Sequence, residues 1–161
     1  MFAQRAFLIE RLNSTRKPLD EAISQAPVDK DIYNNWKIKQ VVDHISGWDD
    51  VIIEALSTHG KGEPITPTVS RGINAYNAET TISRQSLKLE QSRKEFQNTR
   101  QALIQALNDL PDDKFNQPLI FPWGEIGTVA YLIEIFIEHE EAHCNHILAW
   151  LQNPDEIIGE H

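Results

Sequence analysis

The chain has a single cysteine, Cys144, among its 161 residues, so an intrachain disulfide is excluded and packing alone must hold the fold. Long apolar runs are missing as well. The most apolar stretch, Val129 to Ile137, is interrupted by Glu134 and falls well short of the about 20 residues that cross a bilayer. The opening MFAQRAFLIERL is broken by Arg5, Glu10 and Arg11, which makes it no signal-peptide core. The expected setting is a reducing cytoplasm, away from membranes. Basic residues are in the minority, 15 Lys and Arg against 24 Asp and Glu, and the net charge is -9. A surface of that sign repels phosphate, so no nucleic-acid partner is expected. Asn-Gly hairpin signals and internal repeats are also missing, which leaves no sheet signature.

What is present is helical periodicity. With 40% apolar residues, the chain can fill one core and is read as a single domain, 1–161. Leu8, Leu12, Leu19, Ile23 and Ala26 mark one face of a first helix from about Ala3 to Ala26, with a kink or break expected at Pro18. A second helix begins near Trp36, carries Ile38, Val41, Val42, Ile45, Trp48, Ile52 and Leu56 on one stripe, and stops at Gly60 and Gly62. Gly47 within it lets a neighbouring helix or ligand approach closely. The segment GKGEPITPTVSRG, from Gly60 to Gly72, is a long loop. A long third helix is expected from Asn77 to Asn108, with a seam of Ile82, Leu89, Phe96 and Leu103 at steps of seven. Pro118, Pro122, Trp123 and Gly124 then mark a loop with a short extended segment at Leu119 to Phe121. A fourth helix runs from a Thr128 cap to about Gln152. The fold class is all-α, an up-down four-helix bundle with a long loop between helices two and three.

The fourth helix places Leu132, Ile135, Phe136, His139, Ala142, His143, His146 and Trp150 on one stripe, so histidines occupy positions that should face the core. His139 and His143, four residues apart, turn both rings into the same space, as two metal ligands require. His44, one turn after Gln40 and one before Trp48, can supply a third imidazole from the second helix. Neutral nitrogen ligands favour Zn, Ni, Fe or Cu over Mg or Ca. The competing reading is of core histidines hydrogen-bonded to carboxylates. HEEAH, from His139 to His143, also spells the zinc-peptidase motif with Glu140 as general base. Its third ligand would have to be His146 or one of Glu156, Glu160 and His161 in the tail, and no sheet is expected to hold a peptide. That context argues against a peptidase.

WKIKQVVDHISGWDD, Trp36 to Asp50, followed by FPWGEIGTVAYLIEIFIEHEEAHCNHILAWL, Phe121 to Leu151, resembles the DinB/YfiT-like superfamily of four-helix-bundle metalloproteins. The specific features are a Trp-led second helix with His eight residues later and a His-x-x-x-His near the end of the fourth. The resemblance implies a divalent metal, Ni or Zn, on His44, His139 and His143, and a homodimer. Relatives with known chemistry include thiol S-transferases using low-molecular-weight thiols, a mycothiol-dependent isomerase and the ClbS/DfsB branch that protects against a genotoxin. The implied function is a metal-dependent enzyme, hydrolase or thiol transferase, acting on a small-molecule substrate. The alternative is a noncatalytic, dimeric binding or stress protein. The resemblance also places Tyr76 and Asn77 at a pocket mouth, while Glu140 is a candidate to orient an imidazole. His146 stands where many relatives have Gln, and its role as spare ligand, supporting donor or core residue is open. Cys144 points about 100° away from His143 around the helix and is not counted as a ligand.

Overall fold

The structure, a computed structural model, describes residues 2–159; Glu160 and His161 lie outside the described residues. Four long helices make the core: α1 (Phe2–Gln25), α2 (Ile38–Gly60), α4 (Leu89–Asp109) and α6 (Val129–Gln152). Between α2 and α4 lie a loop, 61–72, and a shorter helix, α3 (Ile73–Ser83). A one-turn helix, α5 (Asp112–Asn116), leads into strands β1 (Leu119–Ile120) and β2 (Ile126–Gly127), which pair antiparallel. The expected all-α bundle with a long loop after its second helix is therefore formed. No helix is long and apolar enough to cross a membrane among the described residues.

Two expected boundaries are corrected. Trp36 is not the start of the second helix. It sits in a turn in which Ile32 N–H donates to Trp36 O at 2.8 Å and Trp36 N–H to Tyr33 O at 2.9 Å. Asn35 occupies the left-handed region there, at φ 64°, which Asn tolerates better than most residues. The long third helix is not continuous either. It breaks across 84–88, and α4 restarts where Gln91 Oε1 accepts from Lys88 N–H at 2.9 Å, the same cap that Gln40 gives Lys37 before α2. Ile82 is 66% exposed, so the seam of sevens holds only from Leu89, packed against the core, through Phe96 and Leu103. Pro18, by contrast, lies inside an unbroken α1. Leu12 and Leu19, on either side of it, are fully buried, and that packing holds the helix together across the missing bond.

The break in the third helix sets the topology. α3 runs back along α2, with Thr80 against Gly47 and Asn77 against Trp48. α4 can then descend beside α2 in the same direction, with Arg100 on Asp49 and Leu110 against Gly60. α1 runs opposite to α4, since Arg5 reaches Leu110 O and Arg16 reaches Phe96 O. With α3 counted, α1, α2, α3, α4 and α6 alternate in direction, so the four core helices α1, α2, α4 and α6 run up, down, down, up.

The core is divided into two apolar clusters. One joins Leu8 and Leu12 of α1 to Trp48–Leu56 of α2, Leu103 and Leu107 of α4 and Leu132–Ile137 of α6. The other joins Leu19 and Ile23, Ile38–Ile45, Phe96, and Ile147 and Trp150. Burying one such side chain contributes about 1.5–3 kcal/mol. Between the clusters lie four buried charges, one from each core helix: Arg16, Asp49, Arg100 and Glu140. Two cations and two anions cancel, which makes their burial tolerable.

Candidate metal centre

Because α2 and α6 run antiparallel, His44 reaches the level of His139 and His143. His139 Nε2 lies 3.2 Å from His44 Nε2 and 2.9 Å from His143 Nε2. One ring nitrogen from each of the three falls within 4.8 Å of the others. His44 and His143 are each 2% exposed, while His139 is half-buried and gives the group its opening. Three nitrogens held by one tetrahedral ion at about 2.0–2.1 Å stand about 3.3 Å apart. The donors present therefore fit a divalent ion in chemistry and in spacing, and the group contains no carboxylate.

The far side of His143 is held by a residue that periodicity could not find. Tyr33 Oη lies 2.8 Å from His143 Nδ1 and 2.8 Å from His146 Nδ1. Tyr33 is fully buried, and burial pushes its hydroxyl above the ordinary tyrosine range, so it keeps its proton. It sits in the irregular turn between α1 and α2, braced by Ile158 N–H on Ile32 O at 2.9 Å. Trp36 of the same turn packs on His44, with ring centroids 4.9 Å apart. The only sequence signal was the turn-forming Asn34-Asn35 pair. His146, left open above, is thus the outer partner of Tyr33.

Glu140 does not orient an imidazole. Its carboxylate is 1% exposed and receives both Arg16 and Arg100, with Thr15 Oγ1 at 3.4 Å. On α6 it faces the bundle axis while its histidine neighbours face α2, because successive residues are rotated about 100°. Glu156, another tail candidate, is exposed and accepts from Asn153 Nδ2.

The sequence profile of the DinB superfamily matches residues 9–147. The chain belongs to the DinB superfamily. Several solved structures share the DinB fold. YfiT from Bacillus subtilis, described as a probable metal-dependent hydrolase with an unusual four-helix bundle topology, has a TM-score of 0.72 at 17% identity, covering 98% of this chain and 91% of that one. The colibactin self-resistance protein ClbS, solved in complex with a dsDNA, has a TM-score of 0.75 at 12% identity, covering 92% and 95%. A mycothiol-dependent maleylpyruvate isomerase has a TM-score of 0.70 at 13% identity, covering 87% of this chain and 60% of that one. At such identities the likeness is one of fold. A search of curated proteins finds no match.

In this DinB-superfamily chain a cavity of about 240 Å³ opens beside the histidines. His44 and Trp48 of α2, Ile73 and Asn77 of α3, Trp123 of the β1–β2 turn, and Ile135, Phe136 and His139 of α6 line it. Asn77 is thus on the wall, and its Oδ1 accepts from Trp48 Nε1–H at 2.8 Å. Tyr76 is turned onto α2 instead. Its hydroxyl donates to Gly47 O at 2.7 Å, and burial, then Asp50, push it up to about 12. Trp150 belongs to the other core cluster. The Cys144 thiol is pushed up by burial and then by the Glu140 charge, the opposite of an activated nucleophile.

Proposed function

We propose that the chain is a metal-dependent enzyme, of hydrolase or low-molecular-weight-thiol S-transferase type, that acts on a small molecule. The observation that supports it is the convergence of the His44, His139 and His143 Nε2 atoms at one end of a cavity. Neutral imidazoles suit Ni or Zn. A divalent ion bound there supplies Lewis acidity and activates a small nucleophile near neutral pH. Tyr33 and His146 hold the His143 ring, and the Trp48, Trp123 and Phe136 rings exclude water on the cavity side. Glu140, tied to two arginines, is not free to act as the general base of HEEAH, which weighs against a peptidase.

A nucleic-acid partner is not part of this reading. ClbS was solved with dsDNA, but the net charge of -9 here opposes phosphate binding. Assembly as a homodimer and a cytoplasmic setting rest on the family resemblance and the single cysteine, and sedimentation velocity tests the first.

Elemental analysis of the purified chain decides the central claim. About one equivalent of Zn or Ni is expected, lost in His139→Ala. Full metal content in that variant overturns the ligand set. A metal-free chain whose thermal stability ignores a chelator favours the noncatalytic alternative. Ester hydrolysis, compared with attack on an electrophile with and without a low-molecular-weight thiol, then separates the two reaction types.

A further inference from the structure

The cavity beside the histidines carries chemical information of its own. At about 240 Å³ it is a little below the usual range for ligand sites, about 300–1,000 Å³, so the part of a ligand that it encloses is about the size of a ring with a short substituent. Trp48, Trp123 and Phe136 form one wall, with centroids 6.3 Å, 5.5 Å and 6.2 Å apart pairwise. None of its lining residues is Asp, Glu, Lys or Arg. On the aromatic wall, away from the histidines, a charged group would lose hydration with no side-chain counter-ion to offset the loss.

One polar group on that wall is oriented. An indole N–H is a donor only, so the side-chain atom of Asn77 that meets Trp48 Nε1 must be its oxygen. The amide nitrogen is therefore turned away from Trp48, and among the described residues Nδ2 has no protein acceptor. Asn77 is 6% exposed, and the space beside it is the cavity it lines. A donor set on a mainly apolar wall favours a ligand that brings an acceptor to it over one that covers it without a partner. Tyr76, the preceding residue, pins this stretch of α3 to Gly47 O, so the donor is held in place before any ligand arrives.

We infer that the cavity binds a planar, mainly apolar molecule, aromatic or similar, with no charge on the part that meets the tryptophans and with a carbonyl-type oxygen that accepts from Asn77 Nδ2. This inference deepens the enzymatic reading and rests on it only for where the reacting group lies. It predicts that Asn77 distinguishes ligands with an acceptor from those without one.

The test uses the purified full chain and three neutral probes: benzamide, toluene and glucose. Quenching of Trp48 and Trp123 emission reports binding, and the Asn77 side-chain amide resonance reports the contact. Benzamide is expected to bind more tightly than toluene and to shift that resonance, while glucose leaves both signals unchanged. In Asn77→Asp the oxygen facing Trp48 is kept and the donor is lost, so benzamide affinity should fall about tenfold or more with toluene little changed. Glucose binding as tightly as benzamide, or a benzamide-to-toluene ratio unmoved by Asn77→Asp in a folded variant, overturns the proposal. If Asn77→Asp does not fold, an unshifted Asn77 amide resonance in the wild-type chain at saturating benzamide overturns it equally. Elemental analysis of the same sample keeps the two claims separate: benzamide bound to a chain without metal sinks the metal reading and leaves the cavity assignment standing.

Discussion

Tyr33 Oη stands 2.8 Å from His143 Nδ1, and this contact decides which nitrogen of His143 is available to a metal. Tyr33 has one proton and two imidazole neighbours, His143 and His146. It can donate to only one of them, and the other must donate to it. With Tyr33 donating to His146, His143 carries its proton on Nδ1 and presents a bare Nε2 toward His139. With the order reversed, Nε2 is protonated and cannot ligate. The hydrogen bonds behind a ligand thus set its tautomer, as outer partners of metal-bound histidines generally do.

Removing the hydroxyl should therefore weaken the metal site without touching a ligand. Tyr33→Phe is expected to lower Zn affinity about 10–100-fold, measured by competition with a chromophoric chelator. Nitrogen-15 spectra of the histidine rings should show His143 losing its single tautomer. Unchanged affinity would make Tyr33 a packing residue only.

Metal occupancy should appear in global stability. Free Zn at 100 times its Kd stabilises the folded chain by about 2.7 kcal/mol if the unfolded chain does not bind it, and for a chain of this size the melting temperature should rise roughly 5–10 °C. Calorimetry with and without a chelator checks this. No shift in the wild-type chain, or an equal shift in His44→Ala, counts against the three-imidazole site.

The buried charges between the two core clusters make a different kind of prediction. Glu140→Gln leaves Arg16 and Arg100 with one carboxylate, Asp49, between them. Removing one partner from a buried ion pair costs about 3–5 kcal/mol, so urea denaturation should show a large loss of stability while the folded fraction keeps its metal. A variant of wild-type stability lacking only catalytic activity would restore Glu140 as a general base.

Gly47 tests the contact between α2 and α3. A Cβ built there comes within 2.4 Å of Thr80 Cγ2 and 2.6 Å of Thr80 Cβ. Gly to Ala inside a helix gains about 1 kcal/mol of propensity, but forcing α3 off α2 costs about 1–3 kcal/mol of overpacking and should displace Asn77 from Trp48. Gly47→Ala is expected to be destabilised and to bind benzamide weakly, with recovery on adding Thr80→Gly. Net stabilisation with unchanged binding would show that α3 moves freely.

By itself the sequence determined what depends on local periodicity. The faces of α1, α2 and α6, the loop after Gly60, the Thr128 cap, whose Oγ1 accepts from Tyr131 N–H at 3.1 Å, and the shared direction of His139 and His143 all follow from spacing along one helix. The place of His44 was read from its helix face and from family resemblance. What only the tertiary structure decided depends on which helices become neighbours. RQSLK, 84–88, contains no Gly or Pro, so nothing local marked the reversal between α3 and α4. That reversal is stabilised by Arg84 bridging Asp50 and Glu95, partners far apart in the chain. Glu140 could be told apart from a catalytic glutamate only once Arg16 and Arg100 arrived from α1 and α4. Tyr33, in an irregular turn without periodicity, acquired its role because α6 brought His143 and His146 to the same hydroxyl.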